Sequence, residues 1–77
     1  MTTFYIQALG RDLNGPVEAI LDCSTIDDAK AEARRVLAEI AAGGLPKNPM
    51  DMLSVELFDV DHRPIMEVRL ILEEIDK

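Results

Sequence analysis

The sequence predicts an α+β fold of ββαββ order: a four-stranded antiparallel sheet with a single helix packed on one face. Three observations carry that expectation. Near the start, Phe4, Ile6 and Ala8 alternate with Tyr5 and Gln7, the period-2 pattern of a half-buried strand. In the middle, residues 24–43 hold one apolar stripe of helical period between cap residues. Towards the end, two more alternating stretches flank DVDHRP, residues 59–64, whose composition is that of a tight turn.

The first strand covers residues 3–9 and stops at Gly10. GRDLNGP then gathers Gly, Asp, Asn and Pro, and its Asn14-Gly15 pair supplies the positive φ angles that a reversal needs. VEAILD, residues 17–22, reads as a second strand antiparallel to the first. Its register and the strand order are left open by the pattern.

The helix begins at Ser24, read as the N-cap because Asp27 follows three residues later, and it ends before Gly43 at the C′ position. Ile26, Ala29, Ala33, Val36, Leu37 and Ile40 fall within about 100° of one another, facing the sheet, with Asp28, Glu32, Arg35 and Glu39 opposite. Asp27 and Asp28 suit the first turn, where the helix dipole favours anions. GGLPKNPMDM, residues 43–52, breaks all periodicity and returns the chain to the sheet. In LSVELFD, Leu53, Val55 and Leu57 share a face; in IMEVRLIL, Met66, Val68, Leu70 and Leu72 share one, with Glu67 and Arg69 turned away.

The 77 residues, without repeats or a dividing linker, are read as one domain, 1–77. Hydrophobic residues make up 48% but aromatics only 4%, so the core is built from Leu, Ile, Val, Ala and Met and is thin. One cysteine allows no intramolecular disulfide, which leaves self-association as the stabilising device. A net charge of −7 argues against nucleic acid, whose phosphates need clustered Lys and Arg, and permits a basic protein partner. No signal-like segment and no run of apolar residues long enough to span a membrane is present; with an unpaired thiol, the expected location is the cytoplasm.

DVDHRP holds the chain's only histidine, His62, beside Asp59 and Asp61. Metal binding asks for three or four ligands converging from rigid elements, whereas these follow one another where the chain must reverse. Asp side chains bond the backbone two residues ahead and His tolerates positive φ, so the segment is read as a hairpin turn. GRDLNGPV, residues 10–17, has nearly the spacing of a phosphate-binding loop, but Pro16 stands where the lysine belongs and Val17 where the hydroxyl belongs. Cys23 lies near a helix N-terminus but lacks a second cysteine or nearby histidine, and is read as a small buried hydrophobe. Met50 and Met52 are read as gap fillers. Arg34 and Arg35 are read as part of a solvated face, Arg35 being neutralised by Glu32 and Glu39. No catalytic, cofactor-binding or metal-binding set can be assembled, and the expectation is that the protein is not an enzyme.

Taken in order, FYIQALGRD, DDAKAEARRVLAEIA and VELFDVDHRPIMEV resemble a family of short, uncharacterised alphaproteobacterial proteins, abundant in rhizobia and classed as a domain of unknown function. The resemblance covers nearly the whole chain. It implies the same fold and carries over no site residue. Where that family favours glycine in the last turn, this chain has His62.

Two functional classes remain, a homo-oligomeric binding module and an acidic, antitoxin-like inhibitor or adaptor of a basic protein. The first is preferred, because one helix shields only one side of a sheet. Alternation turns Ser54, Glu56 and Phe58 outward, and Ile65 and Ile71 with them, near Tyr5. A homodimer through Tyr5, Phe58, Ile65 and Ile71 is therefore expected, with Glu56, Glu67 and Arg69 at its rim or paired across the two-fold axis; edge-strand pairing is the competing geometry.

Overall fold

The computed structural model describes residues 1–10, 17–46 and 52–77. Its elements are β1 (Thr2–Leu9), β2 (Val17–Cys23), α1 (Ile26–Ala41), β3 (Leu53–Phe58) and β4 (Pro64–Leu70). The ββαββ order is the expected one, and the four strands form one antiparallel sheet in the order β2-β1-β3-β4. β1 is central and antiparallel to both neighbours. β2 and β3 therefore run the same way, and α1 carries the chain from one side of β1 to the other.

Alternation along the strands sends Phe4, Ile6, Ala8, Leu53, Val55 and Leu57 to the helix side, where all six are buried. α1 meets them with Ala29 and Ala33, both fully buried. One helical turn apart, these two residues share a face, and their small side chains let the helix backbone lie close to the sheet. Val36, Leu37 and Ile40 complete the stripe as half-buried residues, joined by Leu21, Cys23, Met66 and Val68 from the strands. Cys23 is half-buried rather than fully enclosed.

Three local features differ from the sequence reading. The N-cap is Thr25, not Ser24: its hydroxyl accepts the Asp28 backbone N–H at 3.1 Å while its backbone is extended. Both residues are suitable caps, so the pattern leaves an ambiguity of one position. Ile26 is the first helical residue and is exposed, ahead of the turn that meets the sheet. At the other end, Gly43 and Gly44 N–H groups donate to Ile40 and Ala41 carbonyls, tightening the last turn. With Ala42 as C-cap, Gly43 holds the expected C′ position, but the positive φ, 133°, falls one residue later on Gly44. The 10–17 and 43–52 loops lie largely outside the described residues, and so does Met50; Met52 is exposed.

Candidate functional site

The side of the sheet away from α1 has no helix over it among the described residues. Cross-strand register organises this open face into rows. Ile20, Tyr5, Phe58 and Pro64 are successive partners across all four strands, making an apolar row. The adjacent row is Glu18, Gln7, Glu56 and Glu67, again one residue from every strand. Beyond it lie Leu9, Ser54 and Arg69. On the other flank, Thr3 donates its hydroxyl to Asp22 at 3.0 Å. Nothing in the period-2 pattern of a single strand reveals such rows, because they depend on register.

Arg69 reaches back along β4 to Glu67, donating from Nε at 3.0 Å and from a terminal nitrogen at 3.2 Å. These bonds hold the Glu67 carboxyl below its ordinary pKa and raise that of Arg69, to which Glu56 adds its own attraction. Ser54 lies on the open face, as the alternation implies, yet is only 4% exposed, with Leu9 and Arg69 as its register partners. α1 carries a separate ion-pair group, in which Arg35 bonds both Glu32 and Glu39, lowering the Glu32 pKa and raising that of Arg35.

DVDHRP forms the turn between β3 and β4. The His62 N–H donates to the Asp59 carbonyl and the Asp59 N–H to the Arg63 carbonyl, each at 2.9 Å. The Asp59 carboxylate accepts backbone N–H groups from Asp61 and Arg63, both at 2.9 Å, which is the backbone-mimicking role of Asp in turns. His62 has φ 62°, the left-handed conformation that costs a side chain some strain and that glycine adopts freely. Arg63 pairs with Asp61 at 2.8 Å and Asp59 at 3.6 Å. Both aspartates are thus engaged by the turn itself. Among the described residues, no three His, Cys, Asp or Glu side chains converge in a way that could hold a metal ion.

The turn also reaches the open face. The His62 ring stacks on Tyr5, with ring centroids 4.1 Å apart and planes 18° from parallel. Beside this stack is a cleft of about 230 Å³ lined by Tyr5, Ile6, Gln7, Glu18, Phe58 and His62. It joins the aromatic part of one row to a carboxylate of the next.

Of the expected interface residues, Tyr5 and Phe58 are direct register partners. Ile65 and Ile71 do not join them. Leu57 pairs with Met66 but Phe58 pairs with Pro64, so Ile65 is the extra residue of a bulge and packs against the helix-side core. Ile71 is 54% exposed but follows the far end of β4, roughly 20 Å from the Tyr5 row at about 3.3 Å per residue. The sequence pattern carries no sign of the His62 ring at the cleft, of Ile20 in the apolar row or of Glu18 in the cleft.

The sheet's edges contrast as well. β4 begins at Pro64 and carries Glu67 and Arg69, features that discourage pairing with another strand. β2 also carries two charged residues, Glu18 and Asp22, but has no proline and exposes Val17 at 50% and Ile20 at 67%.

No helix among the described residues is long and apolar enough to cross a membrane. No curated protein and no solved structure matches the chain. The family model described as Domain of unknown function (DUF6894) matches residues 6–71, most of the chain.

Proposed function

The chain belongs to the DUF6894 family, and from that premise we propose that it is a non-catalytic, homo-oligomeric interaction module. The observation that supports this reading best is the β2 edge, a seven-residue strand with Val17 and Ile20 exposed and no proline, its charges Glu18 and Asp22 being the feature that opposes pairing. Antiparallel pairing of β2 with its copy satisfies the outer backbone groups of both edges and removes Val17 from water. This moves the self-association expected on the open face to the edge. Face-to-face docking about a two-fold axis on the apolar row would set each copy's Glu row against the other's Asp22 and Thr3, and like charges brought together out of water oppose association. The cytoplasm, an alphaproteobacterial, rhizobial source and the absence of a nucleic-acid or membrane partner belong to the same proposal.

Light scattering during size-exclusion chromatography tests it. Twice 8.6 kDa at tens of micromolar is expected, falling to the single mass when Val17→Lys and Ala19→Lys place charge on the exposed edge. A monomeric wild type overturns the dimer, and a dimer unmoved by both substitutions overturns the edge.

A second reading is favoured by the Glu18, Gln7, Glu56 and Glu67 row: an acidic inhibitor or adaptor of a basic protein. It is compatible with edge pairing, since the two use different surfaces.

A further inference from the structure

We propose that the cleft lined by His62, Tyr5 and Glu18 takes the cationic side chain of a lysine or arginine from a basic protein partner. The cleft combines what such a group needs. Tyr5, Phe58 and His62 present aromatic rings, Glu18 a carboxylate and Gln7 an amide, around about 230 Å³. Aromatic rings bury the aliphatic stem and, on faces not taken up by the His62–Tyr5 stack, attract an ammonium or guanidinium through their quadrupole, and the carboxylate fixes the charged end. The His62–Tyr5 stack closes one side of the space.

The surroundings extend the argument from one side chain to a segment. The rest of the apolar row, Ile20 and Pro64, lies alongside, and Glu56 and Glu67 continue the acidic row across β3 and β4. Neighbouring rows on one face are about 7 Å apart, and four strands span about 14 Å. An amphipathic helix of about three turns is about 16 Å long; lying across the strands, it would place an apolar stripe on one row and a basic flank on the next. The chain's own helix does not fit this description, because its outer side carries Asp28, Glu32 and Glu39. A second copy is therefore the wrong occupant for this face, and charge complementarity selects a basic one. The inference rests on reading the chain as an interaction module and holds whether or not it dimerises.

Tyr5 is the only tyrosine and there is no tryptophan, so intrinsic fluorescence reports on this cleft. The probe is a synthetic Leu/Lys amphipathic peptide of about 15 residues, compared with its lysine-acetylated form and with spermidine. The Leu/Lys peptide is expected to change Tyr5 emission saturably at low salt, and the acetylated form is not. Glu18→Gln and His62→Gly should each weaken binding roughly two- to fivefold. Both variants should fold, since Glu18 is exposed and glycine suits the left-handed turn position. An equal response to the acetylated peptide, or unchanged affinity in both variants, overturns the cleft; spermidine binding as tightly as the peptide overturns the protein partner. Light scattering on the same samples keeps the two readings separate. A monomer that binds overturns only the dimer, and a dimer that does not bind overturns only the cleft.

Discussion

The two faces of the sheet are built from the same strands and obey different rules. On the helix side, Phe4, Ile6, Val55 and Leu57 are packed beneath Ala29 and Ala33, and the packed positions are apolar. On the open side, an apolar row adjoins an acidic one, and the turn between β3 and β4 stacks a histidine on Tyr5 of the apolar row. Burial of Leu57 and Val55 is worth about 1.5–3 kcal/mol each, so the first face accounts for stability. The second contributes less to stability and offers recognition chemistry. Neighbouring residues in one strand can thus belong to different parts of the molecule's work.

Leu57 and Phe58 put that contrast to its strongest test. Leu57→Ala empties a fully buried site and should cost about 2–5 kcal/mol in urea unfolding. Phe58→Ala, on the half-buried open face, should cost about 1 kcal/mol; equal losses would mean that the open face is structural too. Next comes the helix seat. Ala33→Leu overfills the contact with the sheet and should cost about 1–3 kcal/mol, whereas Ala31→Leu, on the exposed side, should stay within about 0.5 kcal/mol of wild type. Thr25→Ala removes the cap bond to Asp28 for about 1 kcal/mol, and Ser24→Ala should be nearly silent, which decides between the two cap residues.

The smallest effect is expected from the ion pairs. Glu32 and Glu67 have folded-state pKa values below the ordinary 4.5, so their contribution is complete above that pH and is lost as pH falls through the folded values. Both pairs are exposed and screened by salt. A slight fall in urea midpoint below about pH 4.5, diminished in Glu67→Gln and by added salt, is the expected outcome.

Most of the fold was legible because period-2 and period-3.6 patterns report directly on which side chains must leave water. The Phe4, Ile6, Ala8 alternation and the Ala29, Ala33 stripe lead to the observed core without knowledge of strand order. The turn at residues 59–64 was legible for a different reason, since Asp59 and His62 suit its backbone chemistry. What stayed hidden depends on register. The bulge that turns Ile65 inward comes from how β3 meets β4, and the rows through Tyr5 and Gln7 exist only once β1 has found both partners. The His62 backbone conformation is legible in the turn's composition, whereas its ring's position on Tyr5 has no sequence signal.

Amide chemical-shift mapping with the Leu/Lys peptide bears most directly on the claim that the open face is the recognition surface. The largest changes are expected at Tyr5, Gln7, Glu18, Phe58 and His62, with α1 residues such as Ala31 and Arg34 unmoved. Changes centred on α1, or spread evenly over both faces, would contradict it.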